Sequence, residues 1–102
     1  MQSVELRALN KMTARTSLLH VNIGELERFD TIELEVESCW SAPPDQRPEH
    51  KALIKITELM HEEGPKELFH GWMFASSPAL NALEHPVYDI AVVRCQAGRV
   101  KD

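Results

Sequence analysis

Thr31-Ile32-Glu33-Leu34-Glu35-Val36-Glu37-Ser38-Cys39 alternates apolar and acidic residues without interruption through Glu37. Successive side chains of a strand point to opposite faces, so this pattern predicts a strand with one buried face and one solvated acidic face. Strict alternation places Cys39 on the glutamate side. A bulge or a twist near Ser38 is needed to turn it inward, and bulges occur at strand ends.

The same period of two recurs on both sides. Val4, Leu6 and Ala8 predict a strand over 3–9, and Leu19, Val21 and Ile23 a second one ending at Gly24. Glu25–Asp30 is short enough for a bulged edge strand or a turn. Ala52, Ile54 and Ile56 alternate with Leu53, Lys55 and Thr57, and Leu53 on the outer face implies partial cover there. Over 68–74 both faces carry apolar groups, which predicts a central strand covered on both sides. Tyr88, Ile90 and Val92 predict the last strand, ending at Cys95.

Between the strands lie turn signals. Ser41-Ala42-Pro43-Pro44-Asp45-Gln46-Arg47-Pro48-Glu49 predicts a stiff, exposed loop. Glu62-Glu63-Gly64-Pro65-Lys66 reads as a hairpin connection. Ser76-Ser77-Pro78 suits a helix start, with a serine cap and proline at the first position. Leu80 and Leu83 then share a face and Pro86 ends the element, so one short helix is expected at about 77–84. The fold class is mainly β: a small antiparallel β-barrel or β-sandwich of about five to seven strands.

With 102 residues the chain is one domain, 1–102, with a polar, frayed tail at 96–102. Its net charge is −5. Arg7, Lys11 and Arg15 are too dispersed to track a phosphate backbone, which argues against nucleic-acid binding. No apolar run is long enough for a transmembrane helix. Met1-Gln2-Ser3-Val4 lacks the features of a signal peptide, so the chain reads as cytosolic or as a mature domain separated from its leader. Cys39 and Cys95 are either two buried thiols or one disulfide, which would stabilise the fold by about 4 kcal/mol.

Chemistry is sparsely signposted. His61, His70 and His85 lack the spacing of a zinc site, so no metal and no cofactor is expected. Ser76 and Ser77 lack a nucleophile elbow. Glu33, Glu35 and Glu37 on one wet strand face offer nothing to separate their pKa values for glycoside cleavage. No catalytic residue is assigned, and the chain is expected not to be an enzyme. Trp40, Trp72 and Tyr88 could stack a sugar or peptide. Trp40, beside the proline loop, is the one expected to be exposed; Trp72 and Tyr88 suit the core, with polar atoms bonded to Asp89 or backbone.

The run Gly71-Trp72-Met73-Phe74-Ala75-Ser76-Ser77-Pro78-Ala79-Leu80-Asn81-Ala82-Leu83-Glu84-His85-Pro86-Val87-Tyr88-Asp89-Ile90, followed by Cys95, resembles an uncharacterised bacterial family, domain of unknown function 2155. Leu9-Asn10-Lys11-Met12-Thr13-Ala14 is similar to the family's opening run, with Asn10 where an aspartate is usual. Gly24, Phe29, Ile32 to Cys39 and the proline loop also fit, so the resemblance covers nearly the whole chain. The family occurs mainly in alphaproteobacteria, typically behind an export signal. The resemblance therefore implies a Cys39–Cys95 disulfide and a periplasmic address, with the cytoplasm as the alternative. It implies no activity.

The expected function is a non-enzymatic periplasmic β-domain that binds an envelope protein or glycan. Its contact surface would draw on Trp40, Pro43, Pro44, Trp72, His70, His85, Tyr88 and Asp89. One alternative is a small hydrolase or metal-dependent enzyme using His70, His85 and Asp89. Another is a structural subunit that forms a homodimer through an edge strand.

Overall fold

The computed structural model describes residues 2–60, 62–78 and 81–98. Seven antiparallel strands follow in chain order: β1 (Ser3–Asn10), β2 (Arg15–Asn22), β3 (Leu26–Phe29), β4 (Ile32–Ser41), β5 (His50–Glu58), β6 (Lys66–Phe74) and β7 (Tyr88–Gln96). They form two sheets, one ordered β2-β1-β7 and the other β3-β4-β5-β6. Of the two expected architectures the molecule takes the open one: two packed sheets, not a closed barrel.

Alternation makes the core. Val4, Leu6 and Ala8 of β1 face Ile32, Leu34 and Val36 of β4 and Ala52, Ile54 and Ile56 of β5, all fully buried. These β-branched and aliphatic side chains fill the space between two pleated faces about 10 Å apart. Val21, Phe29, Met73, Leu83, Tyr88, Ile90 and Val92 close the periphery. β7 packs mainly across β5, and β2 across β3 and β4.

The β1–β2 hairpin turns on Asn10. Its Oδ1 accepts from the backbone N–H of Met12 and Thr13, and its Nδ2 donates to Asp30 at 2.9 Å. The amide thus closes one turn and ties it to the next, where Asp30 sits at φ 57°. An aspartate there could accept from both turn N–H groups but could not donate to the Asp30 carboxylate. The Glu25–Asp30 stretch resolves into edge strand β3 and the start of a two-residue turn.

The expected bulge exists. The β4–β5 register shifts between Val36 and Ser38, leaving Glu37 as the extra residue. Beyond it, Cys39 pairs with Ala52 on the inner side and Trp40 with Lys51 on the outer side. Cys39 is disulfide-bonded to Cys95 of β7, which joins the two sheets.

Two expectations are corrected. First, none of the described residues within 77–84 is helical; 79 and 80 lie outside the described residues. Of the two serines that could cap a helix, Ser76 or Ser77, the first is engaged elsewhere: Ser76 bonds Glu49 through both its hydroxyl and its N–H. Asn81 donates to the Trp72 carbonyl at 2.7 Å, and Leu83 enters the core. A helix of eight residues has little stability of its own, so these tertiary contacts decide the path.

Second, β6 is an edge strand, not a central one. Its apolar residues on both faces are half-buried apart from Met73, which is buried. The segment after β6 covers its free edge at Trp72 through Asn81, in place of another strand. Gly71 leaves room for this: a Cβ there would stand 3.1 Å from Asn81 Nδ2. At the C-terminal end, Gln96 completes β7 and Gly98 accepts from the Ser3 hydroxyl; residues 99–102 of the expected frayed tail lie outside the described residues.

Candidate aromatic site on the four-stranded sheet

The outer face of β4-β5-β6 gathers most of the residues that sequence analysis singled out. Register places them in rows. Trp40, Lys51 and Phe74 form one row; Ser38, Leu53 and Trp72 form the next; Lys55 and His70 begin the third. Rows on one face repeat about every 7 Å along the strands.

Lys51 sits between two indoles. Its Nζ lies 4.9 Å from the Trp40 ring centroid and 5.1 Å from that of Trp72. The rings are therefore no more than about 10 Å apart. An ammonium over an indole face is attracted by the ring quadrupole, and two rings restrict the long side chain further. Trp40 is 41% exposed, and Trp72, Leu53 and Phe74 are half-buried beside it. Trp40 is thus open to solvent as expected, whereas Trp72 belongs to this face and not to the core.

The bulge residue Glu37 reaches the same face. Its Oε1 lies 2.6 Å from His70 Nε2, and Glu67 Oε1 lies 4.0 Å from His70 Nδ1. The platform thus combines apolar ring faces, a positioned cation and a carboxylate–imidazole pair.

The proline loop borders the row that ends in Trp40. Gln46 N donates to Pro43 O, so Pro44 occupies the second position of a β-turn, where its fixed φ fits. Ala42 N donates to Glu49 O and closes the loop. Glu49 anchors its base, accepting from Ser76 and from His50 N. The Ser76 hydroxyl, with further help from the Ser76 and His50 N–H groups and the nearby His50 charge, holds the Glu49 carboxyl below its ordinary value; desolvation opposes this.

The remaining expected site residues lie elsewhere. Tyr88 is buried on the inner face, and its hydroxyl meets Thr31 Oγ1 at 2.8 Å and accepts from the Thr31 backbone N–H, so of the two expected partners, Asp89 and backbone, it takes the backbone. His85 Nδ1 accepts from the N–H of Val87 and Tyr88, and its Nε2 lies 3.9 Å from Glu58. Asp89 projects from the outer face of the opposite sheet, paired in register with Leu9. His70, His85 and Asp89 therefore face three different environments. Among the described residues no group of three or more His, Cys, Asp or Glu side chains is placed to hold a metal ion. No helix among them is long and apolar enough to cross a membrane.

Sequence reasoning missed Lys51 and the Glu37–His70 pair. Lysine on an outer strand face is an ordinary surface residue, and only the register of three strands brings it between two indoles.

No solved structure matches this chain. Over 88 residues it is 35% identical to "Uncharacterized protein RP359" of Rickettsia prowazekii, covering 86% of this chain and 57% of that protein. The chain thus spans little more than half the length of this relative. A family model described as "Uncharacterized protein conserved in bacteria (DUF2155)" matches residues 4–95, from β1 to the second cysteine. With the match running from one end of the sandwich to the other, the chain belongs to the DUF2155 family.

Proposed function

We propose that this domain is a non-enzymatic binding module of the bacterial cell envelope, and that its ligand is a glycan held on the outer face of β4-β5-β6. The observation that carries the reading is the arrangement of Trp40 and Trp72 about Lys51. Sugar rings present apolar C–H faces and a rim of hydroxyls. Indole faces on a rigid sheet suit the first, and Lys51, His70, Glu37 and Ser38 suit the second. An open sheet face accommodates a chain of sugars running across it. The concavity at the β5–β6 turn, lined by Glu63, Gly64, Pro65, Lys66 and Glu67, lacks an aromatic lining.

The disulfide supports the address. Such bonds persist in oxidising compartments such as the periplasm and are rare in reducing cytosol.

The test is titration of the oxidised protein with soluble envelope oligosaccharides, read by tryptophan fluorescence and calorimetry. Binding with quenching is expected, and Trp40→Ala should weaken it by at least about tenfold while circular dichroism is unchanged. Binding indifferent to Trp40→Ala and Trp72→Ala would remove the site from consideration. Trp40-dependent capture of an envelope protein, without any glycan binding, would replace the glycan by a protein partner.

A further inference from the structure

Resting on that glycan reading, we propose that the sugar seated at Trp40 carries a carboxylate, and that Lys51 is the residue that selects it. The glycan would be one in which acidic sugars alternate with neutral ones, not a polyanion.

The first observation concerns Lys51 itself. Among the described residues no carboxylate lies within ion-pair distance of its Nζ. Its stem lies on the sheet and its head is held between two indoles. A surface lysine normally loses much rotamer freedom when it engages an anion. Lys51 has already been confined by the rings, so that cost is reduced in advance. The rings also exclude water on two sides, which strengthens a charge-assisted hydrogen bond to an incoming carboxylate. A ligand joining an apolar ring face to an acid group fits both parts of the site at once.

The second observation sets the spacing of charge. Toward the other end of the same face the register brings Glu35 opposite Lys55, Glu33 opposite Thr57 and Glu67 opposite Thr57. Glu37 is paired with His70. The four carboxylates Glu33, Glu35, Glu37 and Glu67 outnumber Lys55, the lysine in their midst; Glu37 follows the row next to Lys51, and the others start about two rows, roughly 14 Å, from it. A glycan with an acid on every ring would set charges against them, and like charges at close range are unfavourable. A neutral ring beyond the acidic one meets hydrogen-bond acceptors and no repulsion.

The experiment uses the oxidised protein and three tetrasaccharide probes: chitotetraose, which is neutral; a hyaluronan tetrasaccharide, in which carboxylate and neutral rings alternate; and tetragalacturonate, acidic at every ring. Calorimetry at low salt should rank the alternating probe about tenfold tighter than either of the others. Lys51→Gln should abolish that preference, whatever its effect on overall affinity, so that the neutral and alternating probes then agree within about twofold, and Lys51→Arg should retain the preference. Equal affinity for the neutral and alternating probes would overturn the carboxylate assignment and leave the glycan reading standing. So would a preference that survives Lys51→Gln. Tightest binding of tetragalacturonate would overturn the alternating pattern. Failure of the wild-type protein to bind any of the three would overturn the glycan reading and this inference with it.

Discussion

Cys39 and Cys95 belong to strands of different sheets, and their Cα atoms stand 5.9 Å apart. β4 and β7 share no ladder of hydrogen bonds, so the sulfurs join two layers otherwise held by side-chain packing and a few hydrogen bonds, such as Asn10 to Asp30 and Cys95 N to His50 Nδ1. The inward turn of Cys39 depends on the bulge at Glu37. Without it, Cys39 would share the outer face with the glutamates.

Removing the cross-link should cost the fold dearly. The bridge spans 56 residues of chain, and on the loop-entropy model the Cys39→Ser/Cys95→Ser double variant loses about 4 kcal/mol. For a domain of this size that lowers Tm by at least about 15 °C. Thermal unfolding followed by circular dichroism checks it. A drop of only a few degrees would mean that packing and the hydrogen bonds between the sheets hold them together without the bridge.

Tyr88→Phe tests the contacts of one buried hydroxyl, which meets both Thr31 Oγ1 and the Thr31 N–H. The Tyr88 hydroxyl ties β7 to the β3–β4 turn through Thr31 Oγ1, and its ring meets Phe29 edge to face at 6.0 Å. The variant keeps the ring contact and loses both hydrogen bonds to Thr31, so urea unfolding should show a loss of about 1–2 kcal/mol. A loss above about 3 kcal/mol would mean that the hydroxyl organises the whole turn.

Gly71 and Asn81 should behave as a pair. A methyl group at Gly71 crowds Asn81 Nδ2, the atom that donates to the edge carbonyl of Trp72. Gly71→Ala and Asn81→Ala should each destabilise the protein by about 1 kcal/mol. In the Asn81→Ala background, Gly71→Ala should add little, because the contact it disturbs is already gone. Additive losses in a double-mutant cycle would refute the coupling.

Glu49 gives a pH signature. Its folded-state carboxyl titrates below its ordinary value of 4.5, mainly through the Ser76 hydroxyl. A lowered folded pKa contributes stability above the unfolded value, and that contribution fades as pH falls through the folded one. Glu49→Gln should therefore lower Tm by a few degrees at neutral pH, and the gap should close below about pH 4.5. A gap of constant size down to pH 3 would show that the ionised form is not what Ser76 and His50 recognise.

Most of the strand plan was legible before any coordinates. Ile32-Glu33-Leu34-Glu35-Val36 could adopt little else than a half-buried strand, because only a period of two separates its apolar and acidic residues. The need for a bulge or a twist before Cys39 followed from the same parity. The stretch after Phe74 departs from its sequence pattern for the opposite reason. Ser76-Ser77-Pro78 carries a local helix-start signal, but Glu49, distant in sequence, takes the Ser76 hydroxyl. Likewise, apolar residues on both faces of β6 suggested a strand between neighbours. A loop covering one edge produces the same composition.

The candidate site was legible only in part. Trp40 stood out by its position beside Cys39 and the proline loop. Trp72 suits the core by sequence alone, because a tryptophan in an apolar strand usually belongs there.

Side-chain alternation, turn residues and charge are local quantities, so the chain alone determined a small antiparallel β-domain, barrel or sandwich, its strand order in sequence and its acidic outer surface. Register, sheet partnership and the meeting of Trp40, Lys51 and Trp72 arise between strands distant in sequence. Only the tertiary structure decided those, because a one-residue slip in pairing would send the same side chains to the other face.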